Sequence, residues 1–119
     1  MTIQTLINKV QEEKPNTFQT EKLIEYINEI EADIAEETNM EFDPYTTTDL
    51  DEDLIVPRPY CRLYVSYLKA MIDYANEEYA SYQLNQEQHV QDYSDFINWI
   101  VRTGQTDKSA IPSRFRNVF

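Results

Sequence analysis

The sequence predicts an all-α protein: a small antiparallel bundle of about four helices, with a long loop between the second and third helices and an extended C-terminal tail. Three observations lead there. Over residues 60–82 an apolar side chain recurs every three or four positions (Tyr60, Leu63, Tyr64, Tyr67, Leu68, Met71, Ile72, Ala75, Tyr79, Tyr82), the period of one helix face. Two segments nearer the N-terminus repeat that period. The 119 residues contain one glycine, Gly104, and few β-branched runs, so little of the turn chemistry that β-hairpins need is present.

In chain order, Thr2 can cap a short first helix that places Ile3, Leu6, Ile7 and Val10 on one face. It ends in the run Glu12, Glu13, Lys14, Pro15, Asn16, because a residue before proline is pushed out of helical geometry. A second helix runs from about Thr20 to Glu37. Leu23, Ile24, Ile27, Ile30 and Ile34 form its stripe, and Glu25, Glu29, Glu31, Asp33, Glu36 and Glu37 are expected on the opposite, solvent-facing side.

Residues 38–56 have no sustained period. Asp43, Pro44 and Tyr45 read as a turn, and Leu54, Ile55 and Val56 as a short apolar run that could be extended. A connection of this length in a compact domain suggests a functional loop or a segment that orders on a partner, and contact between subunits is the preferred expectation.

Pro57 and Pro59 fix the start of the third helix near residues 58–60. The helical pattern then continues through Val90, Tyr93, Phe96, Ile97, Trp99 and Ile100 to Thr103, with Gly104 as the stop. Taken literally, that is one helix of about 45 residues and roughly 67 Å. The alternative is a break between Asn76 and Asn85, since residues 83–89 are polar apart from Leu84; it would fold a fourth helix back onto the third. One helical domain over residues 1–103 and a tail over 104–119 follow.

Charge divides the chain in the same place. The net charge is −12, which argues against a surface that wraps nucleic acid. Residues 1–101 carry six basic and 21 acidic side chains, whereas Arg102, Lys108, Arg114 and Arg116 face only Asp107 in the remainder. A single cysteine, Cys61, permits no internal disulfide, and the opening residues lack a charged-then-apolar leader, so synthesis in a reducing cytoplasm is expected. The apolar stretches are only a few residues long, far below the roughly 20 of a membrane span, so no membrane partner is expected.

No catalytic, cofactor or metal site is expected. Asp49, Asp51 and Asp53 imitate the opening of a calcium loop, but Leu54 stands where its glycine belongs and Tyr60 where its bidentate glutamate belongs. His89 is the one histidine and has no second ligand at metal spacing, so a surface helix position is its ordinary reading. Cys61 lacks a nearby histidine to act as base, which favours packing over reactivity. Glu36 and Glu37, or Glu77 and Glu78, diverge on a helix, and no cleft is expected to join them.

The residues singled out are instead those that suit protein contacts: Tyr45, Leu54, Ile55, Tyr79 and Tyr82 in the domain, and Arg114, Phe115, Arg116 and Phe119 in the tail. Tyrosine and arginine combine large contact area with polar ends and are frequent interface anchors.

The lead-in Val56-Pro57-Arg58-Pro59-Tyr60, the helix that follows it through Tyr79 and Tyr82, the group Tyr93, Ser94, Asp95, Phe96 and Trp99, and the stretch from Lys22 to Glu31 together resemble the small head-to-tail connector proteins of tailed phages and Gram-positive prophages. The resemblance covers most of residues 1–103. It implies an all-helical, non-enzymatic head-completion adaptor that forms a ring beneath the portal protein, extends the DNA channel and carries the next connector or tail protein. DNA would be passing cargo, and the place of action would be the virion neck. The family pattern often has glycine where this chain has Glu77, which weakens the case for a break at Asn76; the tail after Thr103 also departs from it. A reading without the resemblance is an acidic helical protein that mimics DNA or blocks a host factor.

Overall fold

The computed structural model describes residues 1–106, with side-chain surroundings through Thr103. The fold is all-α: α1 (Ile3–Glu13), α2 (Thr20–Glu37), α3 (Arg62–Ala75) and α4 (Tyr79–Thr106). α3 is the element against which the other three pack.

The first two helices lie where their periodicity puts them. Thr2 Oγ1 accepts a hydrogen bond from the Thr5 N–H at 3.1 Å, capping α1, and Lys14 leaves helical geometry with φ −143° ahead of Pro15. Ile3, Leu6, Ile7 and Val10 are buried. α2 buries Leu23, Ile24, Ile27, Ile30 and Ile34 as expected.

α3 begins slightly later than its prolines suggest. Residues 57–61 form a turn in which the Arg58–Pro59 peptide is cis and the Tyr60 N–H bonds the Pro57 carbonyl at 3.0 Å. The helical ladder starts only once the prolines, which donate no N–H, have been passed.

The long helical pattern is a hairpin. α3 stops at Asn76, Glu77 takes a left-handed φ of 59°, and α4 resumes at Tyr79. The Glu78 N–H bonds the Asp73 carbonyl at 2.9 Å and the Glu77 N–H bonds the Tyr74 carbonyl at 3.1 Å, the paired closure of a Schellman motif. The absence of glycine at Glu77 therefore does not prevent the break. α2 ends the same way on Asn39, with φ 56° and a Met40 N–H bond to the Ala35 carbonyl at 2.8 Å. Gly104, expected to stop α4, lies inside it: a glycine costs a helix only about 1 kcal/mol, and α4 runs on to Thr106.

Antiparallel pairing of α3 and α4 brings Tyr60 to Trp99 (ring centroids 5.2 Å), Ser66 to Asp92 (2.9 Å), Tyr67 to His89 (5.2 Å) and Asp73 to Asn85 (2.7 Å). Tyr64 and Phe96, both fully buried, are the largest side chains in the core. Arg62 grips Glu13 with both terminal nitrogens, at 2.8 and 3.0 Å, tying α1 to the start of α3.

The connection over residues 38–61 is structural rather than free. Its carbonyls at Leu50 and Glu52 accept the otherwise unpaired N–H groups of Gln4 and Ile3, at 2.9 and 3.1 Å, and so complete the N-terminus of α1. Leu54, Ile55 and Val56 are buried in the common core. Among the described residues there is no strand, only an isolated bridge between Thr2 and Asp53.

Candidate interaction site

Two buried carboxylates set the geometry of the surfaces. Glu31, expected on the outer face of α2, is fully buried. It follows Ile27 by four positions and precedes Ile34 by three, so the helix turns it inward with them. Its carboxylate accepts hydrogen bonds from Tyr64 Oη at 2.5 Å, Tyr45 Oη at 2.6 Å and the Ile55 N–H at 3.0 Å. The Tyr64 hydroxyl also accepts from the Val56 N–H at 3.0 Å. One carboxylate thus fastens the long connection at two points, Tyr45 and Ile55, and joins α2 to α3 through Tyr64.

Asp73 plays the corresponding part in the α3–α4 turn. Fully buried, it accepts from Ser81 Oγ at 2.8 Å and Asn85 Nδ2 at 2.7 Å and pairs with the Lys14 ammonium. Burial alone would raise its pKa; these three partners outweigh burial and hold the carboxyl below its ordinary range.

Between α2 and α4, above Tyr67 of α3, lies a groove of about 350 Å³. Ile30 and Asp33 form its α2 wall, and Gln86, His89, Val90 and Tyr93 its α4 wall. A continuation on the same side is lined by Asp33, Glu36, Glu37 and Tyr93. These neighbouring glutamates therefore rim a cleft, contrary to the sequence expectation, although they diverge from one another. Burial, together with the Glu37 and Asp33 carboxylates, pushes the Tyr93 hydroxyl up to about 12. The Tyr67 hydroxyl donates to Glu29 Oε2 at 3.0 Å. Among the described residues no donor reaches the buried Gln86 Oε1.

His89 is not a surface residue. It is 8% exposed, its ring packs between Tyr67 and Tyr93, and Nδ1 lies 2.9 Å from the Leu63 carbonyl, so that nitrogen carries the proton. Burial lowers its pKa. Cys61 is also buried; its thiol donates to the Val56 carbonyl at 3.2 Å, and burial raises its pKa, the reverse of an activated thiol.

A second surface lies at the α3–α4 turn. Tyr74 and Tyr79 are each 58% exposed, and the Tyr74 ring meets Tyr79 and Tyr82 edge-on at 5.9 and 5.2 Å. Tyr74 and Tyr79, facing water, with half-buried Tyr82 beside them form an aromatic tip of the kind used in protein contacts.

The structure separates the residues singled out from sequence. Tyr79 and Tyr82 come together in this tip. Leu54 and Ile55 do not offer a surface: both are buried in the core, because the short apolar run closes over α2 and α3 instead of waiting for a partner. Tyr45 is half-buried, with its hydroxyl held by Glu31 and its ring against Phe42 at 5.2 Å. Arg114, Phe115, Arg116 and Phe119 lie outside the described residues. Nothing in the sequence marks Gln86, whereas Tyr74 and Tyr93 belong to a set of tyrosines larger than a small core usually holds, a surplus that suits either core packing or a subunit interface.

The acidic loop residues are committed locally: Asp49 Oδ2 accepts from the Thr46 N–H at 2.8 Å. Among the described residues no three His, Cys, Asp or Glu side chains converge as metal ligands, and no helix is long and apolar enough to cross a membrane. Compared with family models, curated proteins and solved structures, the chain matches none.

Proposed function

We propose that this chain is a head-to-tail connector, a head-completion subunit of a tailed phage or Gram-positive prophage. In this reading it is a structural virion protein without enzyme activity that forms a ring on the portal, extends the DNA channel and carries the next connector or tail protein. It acts in the virion neck after synthesis in the host cytoplasm, with DNA as passing cargo. The observation that carries the reading is the Val56-Pro57-Arg58-Pro59-Tyr60 lead-in to an aromatic third helix. Two unlike surfaces on different elements support it, since head-to-tail packing in a ring needs two different faces on each subunit. One is the carboxylate side of α2; the other is the Tyr74, Tyr79 and Tyr82 tip.

Sedimentation of the chain with purified portal rings tests this. Co-sedimentation, with an added ring of density on the portal in electron micrographs, is expected. A chain that stays at the top of the gradient at saturating concentration would overturn the reading.

One observation favours a second reading, an acidic binding protein that mimics DNA or blocks a host factor. Exposed Glu25, Glu29, Asp33 and Glu37 follow one another every fourth residue on α2, a row of negative charge with about 6 Å of rise per step. Capture of host polymerase, and not of portal, in parallel pull-downs would select it.

A further inference from the structure

We infer that the groove between α2 and α4 is the seat of this chain's own basic, aromatic C-terminal segment, residues 114–119. Two features of the groove ask for such an occupant. Its outer rim carries Asp33, Glu36 and Glu37, and its floor and α4 wall present Tyr67, Val90 and Tyr93.

The segment Arg114, Phe115, Arg116, Asn117, Val118, Phe119 supplies the complement. In an extended chain successive side chains point to opposite sides. An extended segment therefore matches Arg114 and Arg116 to the carboxylate rim and Phe115 to the aromatic wall.

Reach permits it within one molecule. From Val90 to Thr106, α4 rises about 24 Å at 1.5 Å per residue. The eight residues from Thr106 to Arg114 span up to about 27 Å when extended, enough to retrace that length. A segment tethered this way works at an effective concentration on the order of millimolar, so modest contacts suffice. The inference does not depend on the connector reading: failure to bind portal leaves it untouched.

The test places a nitroxide on Asn117→Cys, in a full chain with Cys61→Ser, and reads paramagnetic broadening of backbone amides by NMR. With label and nitrogen-15 on the same molecule, the amides of Val90, Tyr93 and Ser94 are expected to broaden. When spin-labelled and isotope-labelled chains are separate molecules in one sample, they are expected to stay sharp. Absence of broadening in the first sample overturns the inference. Equal broadening in the second also overturns it, by assigning the groove to another copy's tail. As a second measurement that keeps Cys61, Arg114→Glu with Arg116→Glu in the full chain is expected to shift the groove amides; unchanged shifts overturn the inference.

Discussion

The hydroxyl of Tyr64 on α3 lies 2.5 Å from Glu31 Oε1 on α2, with both side chains fully buried. Glu31 takes two further donors from the long connection, and Tyr64 accepts one more from Val56, so this pair joins two helices and a loop at a single point. Tyr64→Phe keeps the ring but leaves a carboxylate oxygen and the Val56 N–H short of partners. The expected loss is about 3 kcal/mol in urea unfolding, since stranded buried polar groups cost about 1–3 kcal/mol each. A loss below about 0.5 kcal/mol would mean that the pair contributes little.

At the α3–α4 turn, Glu77 holds a left-handed φ of 59° that side chains with a Cβ resist. Glu77→Gly is expected to raise stability by about 1 kcal/mol through relief of that cost, with the Schellman bonds of Glu77 and Glu78 unchanged. The urea midpoint at constant slope measures it. A fall in the midpoint would show that the Glu77 side chain contributes more than its backbone costs.

Lys14→Met removes the cation from fully buried Asp73. An uncompensated buried charge is expensive, and about 3 kcal/mol of destabilisation is expected at pH 7. Without Lys14, burial dominates and Asp73 can be relieved by taking up a proton. The deficit relative to the wild-type chain is therefore expected to shrink toward pH 4, and unfolding curves at the two pH values decide it.

His89 contributes a response to mild acid. Its pKa in the folded protein lies below 6.5 because burial opposes the charged ring more than the Leu63 carbonyl, Asp92 and Asp33 favour it. Unfolded chains therefore bind the proton first. The stabilisation is complete above pH 6.5 and is lost as pH falls from 6.5 through the folded value. His89→Gln is expected to flatten the stability profile between pH 7 and 5. An unchanged slope there would place the acid sensitivity elsewhere.

Base acts on the tyrosines in the opposite direction. Burial first, then Glu37 and Asp33, raise Tyr93 from 10 to about 12. The unfolded chain then loses its proton first, so stability is full below pH 10 and declines from there to about pH 12. Tyr93→Phe is expected to reduce that decline, read as the change in unfolding midpoint between pH 9.5 and 11.

Sequence by itself determined the helices, because helix formation follows local periodicity and local caps. Thr2 and Pro15 bracket α1, the isoleucines at 24, 27, 30 and 34 define α2, and the tyrosine-rich stripe defines α3. It left one long helix and a break between residues 76 and 85 both open; the break came at Glu77, where the Schellman bonds and the Asp73 cluster offset an unfavourable backbone angle. Which polar groups turn inward was decided only in three dimensions. Glu31 and His89 read as surface residues along the chain, yet each is buried because partners distant in sequence, Tyr64, Tyr45 and Ile55 for one and Leu63 for the other, satisfy its hydrogen bonds. The same physics moved Leu54 and Ile55 from an expected interface into the core: an apolar run buries itself in whatever neighbouring surface the folded helices provide, and only tertiary packing supplies that surface.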